Sequence, residues 1–137
     1  MRKYKITIND KYEANGSRFL NFDLADILEL IQERGVNLTW QLCHLDFIDN
    51  KGCDGSLLES ISKANSGSET FIKWNDVEKL GKCFNQIIDA KLIGKNKDEV
   101  IIISAFDSSF WEVITDNQTI IEKLKVRFKN IEIDDID

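Results

Sequence analysis

Histidine occurs once in this chain, at His44, and proline not at all. General acid–base chemistry near neutral pH falls most often to histidine, so the usual catalytic equipment is thin. No phosphate-cradling glycine loop, GxSxG elbow, HExxH pair or paired CxxC is present, which removes the common signatures of nucleotide, hydrolase and zinc chemistry. No apolar run approaches the ~18–20 residues needed to cross a bilayer as a helix. Basic residues are outnumbered, 18 to 24, for a formal charge of −6. That balance repels a phosphate backbone and argues against nucleic acid as a partner. The cysteines, Cys43, Cys53 and Cys83, are odd in number and widely spaced. Met1-Arg2-Lys3-Tyr4-Lys5 runs straight into a strand-like segment with no apolar leader core, so the expectation is a cytoplasmic protein with reduced thiols.

What is present suffices for a core. The length of 137 residues fits one domain, expected to span residues 1–137. A hydrophobic fraction of 42%, with 8 Phe and 3 Trp, is too apolar for a disordered chain. With no repeat and no proline-rich linker, no domain boundary is marked. The negative charge keeps such a chain soluble and would also steer a basic protein toward it.

Periodicity sets out the elements. Tyr4–Ile8 alternates at period two and reads as a strand; residues 11–22 read as a loop with turn chemistry at Asn15-Gly16-Ser17. Asp23 is placed to cap a helix over 24–34, with Leu24, Ile27, Leu28 and Ile31 on one face and Gly35 as its left-handed terminator. Residues 38–48 read as a strand. Its apolar phase slips near 42–43, the mark of a bulge or of burial on both faces. Leu57, Leu58, Ile61 and Ala64 suggest a short helix. Asn75 and Glu78 resemble a capping box, and Val77, Leu80, Phe84, Ile87 and Ile88 predict a helix over 76–90. Val100–Ile103 is a β-branched strand, Asp107-Ser108-Ser109 a hairpin turn into a strand over 110–115. Asp116 or Asn117 caps a last helix carrying Ile120, Ile121, Leu124 and Phe128, before a short strand over 131–133. The fold class expected is α+β: a single domain with a mixed or mostly antiparallel sheet, packed by three amphipathic helices and one short helix.

Few constellations carry chemistry. His44 and Asp46 lie two apart on a strand and share a face, as a base and its orienting carboxylate would. No nucleophile accompanies them, and a hydrogen-bonded structural histidine is the simpler reading. Cys43, His44, Cys53 and Cys83 offer four zinc-ligand atoms, but adjacent strand residues point to opposite faces, so no metal or cofactor is expected. Asp46, Asp49 and Asp54 around Asn50 and Gly52 do not fit an EF-hand register; they form an acidic turn, or an acidic knob for a basic partner. Phe110 and Trp111 must face opposite sides of a regular strand, one toward the core, with Glu112 on the face of Phe110.

The run Ala105-Phe106-Asp107-Ser108-Ser109-Phe110-Trp111-Glu112-Val113, then a capped helix ending Val126-Arg127-Phe128, resembles bacterial immunity proteins of contact-dependent inhibition and similar polymorphic toxin systems. Trp74 to Leu80 followed by Asn85 to Asp89 adds to the likeness, which covers the C-terminal half. The resemblance implies a small, cytoplasmic, acidic, non-catalytic protein that binds and neutralises one cognate toxin domain, often a nuclease. It carries over no binding residue. The acidic turn and the hairpin instead supply the candidates: Asp46, Asp49, Asp54, Asp107, Trp111 and Glu112. The alternative is a small adaptor or self-assembling module with no toxin partner. Elemental analysis checks the metal reading: purified protein should hold far less than stoichiometric zinc.

Overall fold

The computed structural model describes residues 2–136. Strand β1 (Tyr4–Ile8) follows its period-two pattern, with Ile6 and Ile8 buried. Residues 11–22 are not a simple loop. They hold a hairpin, β2 (Lys11–Ala14) and β3 (Ser17–Leu20), turned through Asn15 and Gly16, both at positive φ. Tyr12 lies opposite Phe19 with ring centroids 5.8 Å apart. Neither ring is buried, so no apolar stripe signals the hairpin; a cross-strand aromatic pair holds it.

Helix α1 (Leu24–Gly35) starts as expected. The Asp23 carboxylate accepts from Ala25 N–H, and Asp26 reaches back to Asp23 N–H at 2.9 Å, closing a capping box. It ends differently. Gly35 is the last helical residue rather than a left-handed terminator. Its missing Cβ leaves room for the Trp74 ring, which would lie 2.5 Å from such an atom.

Strand β4 (Thr39–Asn50) carries the anticipated bulge between Leu42 and His44, and a second irregularity between Asp46 and Phe47. The first one brings Leu45 back onto the buried face of Trp40 and Leu42. Helix α2 (Gly55–Asn65) and strand β5 (Thr70–Ile72) follow. The predicted helix 76–90 is overturned. Helix α3 (Trp74–Leu80) is a short one capped at Lys73, not Asn75, and strand β6 (Phe84–Lys95) takes the rest. Phe84, Ile87 and Ile88 fit a helical period, but β6 pairs with β4 along almost its full length, and that long-range ladder outweighs the local pattern. Strands β7 (Val100–Phe106) and β8 (Phe110–Thr115) form the expected hairpin, with Asp107 and Ser108 both at positive φ. Asn117 is the cap of α4 (Gln118–Arg127), and β9 (Ile131–Asp135) closes the order.

The main sheet has seven strands in the order β5-β4-β6-β7-β8-β1-β9, and every neighbouring pair is antiparallel. The α+β expectation therefore holds, in its mostly antiparallel form. Buried residues of all four helices join Ile6, Trp40, Leu92, Ile103 and Val113 in one hydrophobic cluster. On the opposite face Ile93, Ile102 and Ile114 align across β6, β7 and β8. No helix among the described residues is long and apolar enough to cross a membrane.

Trp40 joins the layers. It is fully buried, and its Nε1–H donates to the Gly35 carbonyl at 2.9 Å. Its ring lies over Gly94, where an added Cβ would sit 2.6 Å from it. Gly94→Ala is therefore expected to destabilise by about 1–3 kcal/mol, the usual cost of overpacking a rigid core. Urea unfolding checks this, with Gly55→Ala, in the first turn of α2 with open space around it, as the control that holds the midpoint or raises it slightly.

Candidate functional site

Past the point where β7 begins to pair, β4 and β6 continue together as a two-stranded ribbon through residues 46–50 and 84–89. Asp46 lies directly opposite Asp89 in that ladder. The Asp89 carboxylate accepts from Asp107 N–H at 2.9 Å, and Ser108 N–H donates to the Ile88 carbonyl at 2.9 Å. The β7–β8 turn is thus folded down onto the ribbon. Nearby, Asn85 donates to the Asp49 carboxylate at 3.0 Å. Sequence candidates Asp46, Asp49 and Asp107 are so gathered around one ribbon. None of these carboxylates, nor that of Asp89, forms an ion pair among the described residues.

Beside this acidic edge runs a groove of about 730 Å³. Asn85, Gln86 and Ile87 of β6 and the Asp107–Ser109 turn form one wall. The β2–β3 hairpin, with Tyr12, Arg18 and Phe19, forms the other. Asp23 and Asp26 at the start of α1 close one end. Half of the Tyr12 surface is exposed, 51%, and Phe19 is 45% exposed. Large aromatics displayed this way are more usual at contact surfaces than on bare monomer surface. The groove thus offers carboxylates and aromatic faces, the partners a lysine or arginine side chain prefers.

The other candidates fall elsewhere. Trp111 is only 2% exposed; it faces the core and reaches the groove as part of its floor, so it is not a protruding anchor. That follows from strand alternation, which sends Phe110 to the other face to stack on Phe106 at 5.0 Å. Asp54 is the N-cap of α2. Its carboxylate accepts from Leu57 N–H at 2.8 Å and pairs with Lys79 at 3.4 Å, and these bonds hold its pKa below the ordinary value. It already serves the fold as a cap, with half of its side chain still exposed. Glu112 sits on the open face of the sheet between Ser104 and Thr7, away from the groove.

His44 and Asp46 both lie exposed on β4, and their cross-strand neighbours are Lys91 and Asp89. Cys53 and Cys83 are buried against each other. Burial, and then the hydrogen bond between the two thiols, pushes Cys53 up to about 12. Among the described residues no group of three His, Cys, Asp or Glu side chains converges to hold a metal ion. No family model, curated protein or solved structure matches this chain.

Asp23, which the sequence presents only as a helix cap, is the notable acid of the groove. Burial, then repulsion from Asp26, holds its carboxyl above the ordinary 3.8. The folded protein therefore holds that proton more tightly than the unfolded chain does. Its contribution to stability falls as pH rises from 3.8 through the raised value, and at neutral pH the ionised group is a cost. Asp23→Asn keeps a good cap and removes the charge. Chemical denaturation should find this variant more stable than the parent at pH 7, with the gap closing as pH falls below 3.8.

Proposed function

We propose that this chain is a non-catalytic immunity protein: it binds a cognate basic toxin domain and neutralises it. One observation carries the reading. A groove carrying the exposed rings of Tyr12 and Phe19 is lined by Asp23 and Asp107, neither of which forms an ion pair among the described residues, and lies beside the unpaired Asp46 and Asp89 of the ribbon; its third carboxylate, Asp26, is held by Arg127. Like charges placed directly opposite across a ladder, as Asp46 and Asp89 are, cost stability. A basic side chain docking on the ribbon beside the groove would relieve that repulsion and be drawn in by it. The long-range field of a chain of charge −6 speeds the encounter, and the aromatic wall slows release.

The second reading, a self-assembling module, has its own observation. Val126 is 87% exposed and shares a shallow depression with Leu30 between α1 and α4.

Purification of the tagged chain from its native cells, with neighbouring genes expressed, separates the two. Immunity predicts a stoichiometric basic partner. It also predicts that the triple variant Asp46→Lys, Asp49→Asn, Asp107→Asn associates with that partner at least about tenfold more slowly at low salt. Asparagine is chosen at positions 49 and 107 because both have positive φ, which it tolerates. Recovery of the chain alone, or bound only to copies of itself, favours the module.

A further inference from the structure

We infer that the outer edge of β9 is a docking edge for an extended protein segment that alternates basic and apolar residues. The phase of the β1–β9 ladder fixes which backbone groups are on offer. Asn9 N–H donates to the Asn130 carbonyl at 2.9 Å, and Ile136 N–H to the Lys3 carbonyl at 3.2 Å. Even-numbered residues of β9 therefore face β1, and the N–H and C=O of Ile131 and Ile133 point outward. β9 ends the strand order, so no further strand of the described residues takes those groups.

The two edges of the sheet are treated differently. At the far edge β5 is only three residues long. Beyond it the Asn65 side chain fills both backbone positions of Leu45, accepting from its N–H at 2.9 Å and donating to its C=O at 3.0 Å. The β9 edge has no such latch. Its five residues pair with β1 in unbroken register, without a bulge, a lysine or a proline.

Charge decides the occupant. A second copy pairing antiparallel about Ile133 would set Glu132 opposite Asp134 on both sides, so self-pairing is repelled. The same acids, on the open face of the sheet, favour lysine or arginine at alternate positions of an incoming strand. Ile131 and Ile133 lie on the core-side face, in register with Ile8 and Ile6, and favour apolar residues between the basic ones. None of β9 lines the groove, so this surface stands apart from the toxin-binding reading.

The probe is a synthetic lysine–valine alternating peptide of roughly seven residues, long enough to span β9, with a glutamate–valine peptide as its counterpart. Amide hydrogen exchange followed by NMR reads the result. At saturation the lysine peptide should slow exchange at Ile131 and Ile133 at least about tenfold. The amides of Lys5 and Thr7, which face β9, report that the native ladder is intact. Ile133→Pro removes one outward N–H and spares those facing β1, so it should weaken binding at least about tenfold. Glu132→Lys with Asp134→Lys should move the preference to the glutamate peptide. Absence of slowing, equal slowing by both peptides, or slowing that survives Ile133→Pro would each overturn the inference.

Discussion

A buried indole sets two demands: a large flat surface to lie on, and an acceptor for its one donor. Trp40 meets the second at the end of α1, where the last helical carbonyls lack partners within the helix and Gly35 supplies one. It meets the first at Gly94 of β6, where any side chain would collide with the ring. Trp74 packs against Trp40, with centroids 5.6 Å apart, and occupies the space left by the missing Cβ of Gly35. Two tryptophans and two glycines therefore lock α1, β4, α3 and β6 into one relation. The groove inherits that relation. One end of it is the start of α1 and one wall is the start of β6, the ends of these elements far from the indole contact. A shift at Gly94 would be transmitted along two rigid elements to the carboxylates.

Acids in this protein are handled in two ways. Glu99 is buried and fully answered. Arg34 donates to one oxygen at 2.6 and 2.8 Å, and Asn117 to the other at 2.8 Å, tying α1 to the β6–β7 turn and the cap of α4. That bond also raises the pKa of Arg34. A buried charge left without such partners would be heavily penalised. Asp46 and Asp89 are handled in the opposite way, directly opposite one another across the β4–β6 ladder with no ion pair among the described residues, and Asp23 sits beside Asp26, whose repulsion helps to raise its carboxyl. Fold stability alone does not select that arrangement, since neutral residues of similar size would cap or pair as well. On the proposed reading, it is the approach of a positively charged partner that offsets this repulsion. Because the groove is open, salt screening over a Debye length of about 10 Å should reach it.

Much of the frame was legible in the sequence. Asp23 with Asp26 and the stripe from Leu24 to Ile31 specify α1, because capping and amphipathic period agree there. The slip of apolar phase at Leu42-Cys43 left two readings, a bulge or burial on both faces, and the ladder with β6 shows the bulge. Local signals failed where long-range pairing decides. Phe84 to Ile88 fits a helix as well as a strand, and only β4, more than thirty residues earlier in the chain, resolves the choice. The β2–β3 hairpin was hidden for a different reason. Asn15-Gly16 is a strong hairpin turn, but its flanks lack alternating apolar residues because the hairpin buries little. The site was half legible. Asp46, Asp49 and Asp107 could be chosen from turn chemistry. Tyr12 and Phe19 could not, because their value lies in facing a wall built from residues 85–109.

Net charge of one sign does two jobs in such a molecule. A sheet that leaves an edge unpaired invites copies of itself to extend it, and natural proteins usually blunt the edge with lysine, proline or a bulge. Here acidic residues at Glu132 and Asp134 stand along β9 instead, while Asp135 is paired with Arg2. They make the edge hostile to a second copy while leaving its outward backbone groups on offer. On the proposed reading, the same sign beside the groove repels copies of this chain and draws in basic partners. Specificity is a difference of affinities, and repulsion of the wrong partner contributes to it as directly as attraction of the right one. An acidic surface with exposed backbone and exposed aromatics therefore selects by charge first and by shape second.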